Sequence, residues 1–292
     1  MREGPRAGCQ DLPMETKASG QAGAERSETT RNQTTSADRP HAYPPPATPT
    51  TTTAGSTSVT VCRDADEAAT LAAAWVSGFL NMTIAQRGTV SFAVSGGSTP
   101  ATMFRVLSNY DIDWRNVHLL QVDERLAPIS SADRNLTQLH QCLIDLIDIP
   151  PVNIHPMPVD LEMAPDARAH EYERLLTKVA PGGIDLVHLG LGMDGHTASL
   201  IPGDPGLGAN DRNVTFTGLY QGFRRLTLTY SELTRAHALL WLTPGADKSR
   251  PLRQLLNRDP LIPAGRVVHH NQTLFCDLAA ANESTSAGLL RS

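Results

Sequence analysis

The feature that most constrains the fold is a recurrence. Short apolar runs of strand length stop at clusters of glycine and charged residues, and stretches of helical periodicity follow. Thr89-Val-Ser-Phe-Ala-Val94 ends in Ser95-Gly-Gly-Ser-Thr-Pro100, and Val117-His-Leu-Leu-Gln-Val122 ends in Asp123-Glu124-Arg125. Asp185-Leu-Val-His-Leu-Gly190 opens into a long polar, glycine-rich loop, and two more strand-like runs lie at Arg225–Thr229 and Ala238–Leu242. Asn153–Met157 reads as one further short strand. Between the runs, Ala68, Ala72, Trp75, Val76 and Phe79 recur at helical spacing behind the capping signal Asp64-x-x-Glu67. Helices are expected after Pro100 to about Leu107, over 133–147 and over 165–179. Strands that alternate with helices imply a mostly parallel sheet covered on both faces.

The expected fold class is therefore α/β, with a Rossmann-like, mostly parallel sheet in a single domain. That domain does not fill the 292 residues. Residues 1–58 hold only Met1, Leu12, Met14 and Tyr43 as large apolar side chains. From Thr29 to Ser58, 19 of 30 residues are Ser, Thr, Pro or Gly. Such a segment buries too little apolar surface to offset chain entropy, so a disordered tail over 1–58 and a domain over 59–292 are expected. The tail lacks the apolar core of a secretory signal, and its acids Glu3, Asp11, Glu15, Glu25 and Glu28 speak against a transit peptide.

The charges of the tail cancel, so the net charge of −5 belongs to the domain. A net acidic chain argues against a non-specific nucleic-acid binder. The absence of an uninterrupted apolar run of spanning length argues against a membrane-crossing segment. Cys9, Cys62, Cys142 and Cys276 lie far apart without a Cys-x-x-Cys pair. They suit a reducing compartment and suggest neither a zinc site nor a disulfide framework.

Ligands of open α/β sheets bind beyond the carboxyl ends of the strands, where the unusual residues of this chain gather. Gly96, Gly97, Ser98 and Thr99 can form either an anion-binding loop at a helix start or an ordinary tight turn. Asp123-Glu124-Arg125 can share acid–base work and hold an anion, or be a solvated charge run. His196, two residues after Asp194, can act as a general base oriented by that carboxylate. Its place in a glycine-rich loop favours function over packing. Arg225 opens one later strand signal and Lys248 follows another, and the two could complete an anion pocket or be surface charges.

Taken in order, Val94-Ser-Gly-Gly-Ser-Thr-Pro100, Asp123-Glu-Arg125, Asp133-Arg-Asn135, Gly190-x-Gly-x-Asp-Gly-His-Thr-Ala-Ser-Leu-x-Pro-Gly203, Arg225-x-Thr-x-Thr229 and Gly245-x-x-Lys248 resemble the motifs of 6-phosphogluconolactonases. The resemblance spans about residues 59–280 and includes Pro263-Ala264 and Asp277-x-Ala-Ala280. It implies hydrolysis of 6-phospho-D-glucono-1,5-lactone in the oxidative pentose phosphate pathway. The implied protein is a cytoplasmic monomer or small homo-oligomer, with the sugar-phosphate lactone as its partner and no metal or organic cofactor. His196 is then the general base, with Asp194 or Asp123 orienting groups around it and Arg125 binding substrate. Gly96, Gly97, Ser98, Thr99, Arg225 and Lys248 grip the phosphate, with Arg224 as the alternative to Arg225. Glucosamine-6-phosphate deaminases share the resemblance, but their loop carries a catalytic glutamate five residues after the histidine, where this chain has Ile201. A non-catalytic sugar-phosphate-binding module is the remaining reading. Met193 and Arg266 depart from the pattern.

Overall fold

The computed structural model describes residues 49–160 and 163–290. Most of the tail expected over 1–58 lies outside the described residues. Its last part does not. Thr50–Ala54 forms strand β1, which turns at Gly55 and pairs antiparallel with β2, Thr57–Cys62. The folded unit thus begins ahead of Val59. Counting Thr50–Thr53 as tail composition overlooked that β-branched residues suit a half-exposed edge strand.

The helices and strands then follow in sequence: α1 (Ala65–Arg87), β3 (Val90–Val94), α2 (Ser98–Leu107), β4 (Val117–Gln121), β5 (Asp123–Arg125), α3 (Asn135–Cys142) and β6 (Ile154–His155). After these come α4 (Pro165–Val179), β7 (Leu186–Leu189), β8 (Val214–Phe216), β9 (Arg225–Leu228), α5 (Tyr230–Arg235), β10 (Ala238–Leu242), α6 (Ser249–Leu256), β11 (Gln272–Asp277) and α7 (Leu278–Ser286). The main sheet runs β1-β2-β11-β10-β7-β3-β4-β6, parallel throughout except for β1.

Side-chain alternation along each strand builds a core on either face. In β10, Leu239 and Trp241 join Tyr172 and Leu176 of α4, Leu252 of α6 and Ala280 of α7. Ala238, Leu240 and Leu242 face Ala72 and Val76 of α1, Phe104 of α2 and Leu139 of α3. The signal at Asp64 holds: its carboxylate accepts from Glu67 N–H at 2.9 Å, and Glu67 accepts from Arg63 N–H at 2.6 Å. The helix that follows, α1, is long and apolar enough to cross a membrane by length and composition. In the fold its Ala68, Ala72, Ala73, Val76 and Leu80 are buried in the core, which accounts for that apolarity.

Two expectations need correction. Arg225–Leu228 does not join the parallel sheet. It is the middle strand of a separate antiparallel sheet, β5-β9-β8, in which Arg125 stands directly across from Arg225. The helix expected over 133–147 stops at Cys142, because Leu143 leaves helical geometry at φ −144° and a short 3-10 turn follows.

The chain runs outward from β3 to β4 and β6 on one side, and from β7 to β10 and β11 on the other. The adjacent pair β3–β7 is therefore a topological switch point, where the loops diverge and leave a crevice. At the centre of β7, His188 is 1% exposed, and neither ring nitrogen has a hydrogen-bond partner. Its ring meets Phe104 edge-on at 5.7 Å. Burial pulls its imidazole down to about 3. An unfolded histidine titrates near pH 6.5, so on acidification the unfolded state takes up a proton that the folded state refuses. Stability contributed by neutral His188 is present above that range and is lost as pH falls below it. His188→Leu should therefore lose less melting temperature than the wild type between about pH 7 and about pH 5. Equal losses in both proteins would rule His188 out as the source.

Candidate functional site

The loop after β7 folds back on itself. Gly192 N–H donates to the His196 carbonyl at 2.8 Å, and Gly195 N–H donates to the Gly192 carbonyl at 3.0 Å. Gly195 sits at φ +82° with Ile262 against it, a conformation that favours glycine. A Cβ on Gly192 would collide with His196 Nδ1 and Asp194 Oδ1, so the glycine makes room for the pair. His196 Nδ1 lies 2.6 Å from Asp194 Oδ1, and the His196 backbone N–H donates to the same oxygen at 3.2 Å. Asp194 Oδ2 accepts from the Tyr220 hydroxyl at 3.0 Å. The His196 ring beside Asp194 holds that carboxyl well below the usual carboxylate range, with Tyr220 adding in the same direction. An ionised Asp194 fixes the proton of His196 on Nδ1. Nε2 makes no hydrogen bond among the described residues and is left as the acceptor.

A second group comes from the small sheet. Asp123 is buried, and its Oδ2 accepts from the Ser199 hydroxyl at 2.6 Å. Burial pushes its carboxyl up, against the Ser199 hydrogen bond and the Arg225 charge. Arg225 donates from Nη2 to Gln221 at 3.2 Å and stacks 5.0 Å over the Tyr220 ring. Arg125 donates from Nη1 to the Asp133 carbonyl at 2.9 Å. The Nε atoms of both arginines are buried without a partner.

Glu124, the other acid of the paired-carboxylate reading, takes no part in the cleft. It is fully buried and accepts from Gln121 Nε2 (2.9 Å) and from the backbone N–H groups of Arg125 (2.7 Å), Asn135 (2.8 Å) and Leu136 (2.9 Å). It caps α3 and leaves Asp123 as the acid facing the site.

The third group is the start of α2. Gly97, at φ +110°, is its N-cap, and Ser98 and Thr99 open the helix. The Gly97 N–H is already donated to Gln138 Oε1 at 3.1 Å, so it is not free for an anion. The hydroxyls of Ser98 and Thr99 make no hydrogen bond among the described residues. A Cβ on Gly96 would overlap the Asn135 amide, which explains that glycine. Lys248 comes from the turn after β10 and pairs with Asp247 at 2.9 Å.

One cleft of about 370 Å³ is lined by all ten residues singled out in the sequence: Gly96, Gly97, Ser98, Thr99, Asp123, Arg125, Asp194, His196, Arg225 and Lys248. Of the arginine doublet, Arg225 lines the cleft, whereas Arg224 lies over Phe216 at 5.7 Å and does not. Of the two departures, Met193 is an exposed residue of the cleft wall. Arg266 ties its turn to the Pro260 carbonyl at 2.8 Å. Tyr220, Gln221, Ser199 and Asn135 had no assigned role. Ser199 and Asn135 stand within the Gly190–Gly203 and Asp133–Asn135 motifs, so the sequence itself marks them. Tyr220 and Gln221 lie in a stretch without a motif, and only the tertiary fold brings them in. Among the described residues no group of three or more His, Cys, Asp or Glu is placed to hold a metal ion.

The chain is 38% identical to a 6-phosphogluconolactonase of Synechocystis over 59% of this chain and 73% of that protein. It is 31% identical to a 6-phosphogluconolactonase of Mycobacterium tuberculosis over 75% of this chain and 95% of that protein. The crystal structure of 6-phosphogluconolactonase from Thermotoga maritima superimposes with a TM-score of 0.68 at 26% identity, covering 76% of this chain and 99% of that one. Residues 63–276 match the family described as glucosamine-6-phosphate isomerases/6-phosphogluconolactonase, and the chain belongs to that family.

Proposed function

We propose that the protein hydrolyses 6-phospho-D-glucono-1,5-lactone to 6-phospho-D-gluconate, a step of the oxidative pentose phosphate pathway. The observation that carries this reading is the Asp194–His196 pair on the wall of a cleft that also holds Arg125, Arg225 and Lys248. A base and an anion site in one crevice fit a phosphorylated ester. Ile201, buried where the deaminases carry their glutamate, weighs against ammonia release.

A δ-lactone is an activated ester, so water suffices as nucleophile. His196 Nε2 takes a proton from that water while Asp194 stabilises the resulting imidazolium, a contribution of roughly 10²–10⁴-fold. Hydroxide adds to C1 and gives a tetrahedral oxyanion. Arg125 faces that charge, and ring opening returns the proton to the leaving oxygen. Ser98, Thr99, Arg225 and Lys248 hold the phosphate, which fixes the carbonyl relative to His196. No step needs a metal or organic cofactor. The described cysteines Cys62, Cys142 and Cys276 are free and buried, in keeping with a reducing compartment such as the cytoplasm. We also infer that the unit from Thr50 onward suffices for activity, because every site residue lies within it.

The direct test supplies fresh lactone and follows acid release against the spontaneous rate, with ammonia release from glucosamine 6-phosphate measured in parallel. Lactone acceleration is expected. Ammonia release without it would overturn the lactonase reading in favour of the deaminase, and neither activity would leave a binding module. His196→Ala should lower kcat by about 10²–10⁴-fold while phosphate-ligand binding survives. Near-normal turnover would remove His196 from the mechanism. Lys248→Ala should mainly raise KM through loss of a charge-assisted contact, so an unchanged KM would contradict the phosphate assignment.

A further inference from the structure

The connection between β8 and β9 is a tight hairpin. Tyr220 N–H donates to the Phe223 carbonyl at 2.9 Å, and Phe223 N–H donates back at 3.1 Å. Gln221 and Gly222 between them sit at φ 49° and 85°. Two successive positive φ angles match the twist of a two-residue hairpin, but glutamine enters that region only when held. The hold is visible, since Arg225 Nη2 donates to Gln221 Oε1 at 3.2 Å. The turn is thus fixed on the side of the cleft and presents Tyr220 to it.

Tyr220 touches three members of the site. Its hydroxyl donates to Asp194 Oδ2 at 3.0 Å. Its ring meets the His196 imidazole edge-on, with centroids 5.6 Å apart and planes at 69°. The Arg225 guanidinium lies 5.0 Å over its face. The two oxygens of Asp194 are thereby divided, Oδ1 to His196 and Oδ2 to Tyr220. A carboxylate anchored at one oxygen only can rotate about its terminal bond and let the imidazole swing; anchored at both, it cannot.

We propose that Tyr220 is a positioning residue of the lactonase. Its hydroxyl locks Asp194, and through it His196, in the reacting orientation, while its ring clamps Arg225 against the substrate wall. This rests on the lactonase reading of the cleft.

The hydroxyl also shares the charge of Asp194. The other charged groups facing this corner are Arg225 from β9, Asp123 and Arg125 from β5, and Lys248 from the turn after β10. Among the described residues none of them makes a hydrogen bond or ion pair to Asp194, so besides His196 itself, through ring and backbone N–H, Tyr220 is the one residue hydrogen-bonded to that carboxylate. Loss of the hydroxyl returns the full negative charge to His196 and favours the protonated ring.

The test compares Tyr220→Phe and Tyr220→Leu with the wild type. In Tyr220→Phe the ring stays and the hydroxyl goes. kcat should fall about 5- to 30-fold, the loss of one charge-assisted hydrogen bond, with KM within about twofold. The acidic limb of the kcat profile should move to higher pH. In the free enzyme, the ring signals of His196, assigned by their disappearance in His196→Ala, should titrate at higher pH by nuclear magnetic resonance. Tyr220→Leu should additionally raise KM, because Arg225 loses its ring. An unchanged kcat, acidic limb and ring titration in Tyr220→Phe would overturn the proposal. If the wild type fails to accelerate lactone hydrolysis, the functional reading falls, and the ring titration still decides whether Tyr220 acts on the Asp194–His196 pair.

Discussion

A carboxylate that water never reaches ties the site together. Glu124 lies at the junction of β4 and β5, fully buried, and an ion so placed costs several kcal/mol unless its lone pairs are satisfied. Four donors and the Arg134 guanidinium at 3.3 Å answer that demand. Arg134, 1% exposed, is held in turn by Asp160 and by the Ala127 carbonyl. Because two of the donors are the first N–H groups of α3, the helix can start only where Glu124 stands. That seats Asn135 over Asp123, whose carbonyl takes the Asn135 amide at 2.9 Å. The same amide occupies the space that a side chain at Gly96 would need. One buried charge therefore fixes the relative positions of the β3 loop, β5 and α3.

The cleft built on this frame is electrostatically unfinished. Arg125 and Arg225 face each other across β5 and β9, a cross-strand pairing of like charges that disfavours the folded state. Asp123 offsets part of the repulsion, but it is itself committed to Ser199. The unpartnered Nε atoms mark what is left over. An anion bound beside the two guanidinium groups would relieve it. This is how a chain of net charge −5 can hold an anion: the balance over the surface says nothing about one crevice.

How much of this could be read in the chain depended on the range of the interaction. Parallel strands such as Val90–Val94 and Ala238–Leu242 were legible because burial on both faces writes near-continuous apolar runs, whereas the parallel strands Thr57–Cys62 and Gln272–Asp277, which carry polar residues, were missed. Site residues were legible where the loop after a strand carries them locally, as with Asp194 and His196. The second sheet was not. Arg225–Leu228 is as buried as a central strand of the main sheet, and only its pairing with the three-residue β5 places it elsewhere. The edge strand β1 failed for the opposite reason, since its threonines satisfy both a polar-tail composition and an exposed strand. Glu124 looked like a catalytic partner because sequence shows adjacency and hides direction. Successive residues of β5 point to opposite faces, so Asp123 and Glu124 were never on one side.

The family description covers two chemistries, and the corner around His196 bears on which of them suits this chain. A glutamate in place of Ile201 would sit in a pocket that leaves the side chain 6% exposed, where a carboxylate without a partner becomes protonated. The third group that meets the Asp194–His196 pair comes instead from the β8–β9 hairpin, and it is a phenol. Burial and the Asp194 bond both push the Tyr220 hydroxyl up, so it remains a donor and cannot accept a proton from its neighbours. A relay that ends in a donor moves no proton onward; it holds the acceptor still. Among the described residues, Nε2 of His196 is the ring nitrogen of this corner left without a hydrogen bond, while the buried Asp123 carboxylate is already bonded to Ser199. A base held still in this way would suit the addition of one water to an activated ester, the reaction proposed for this cleft.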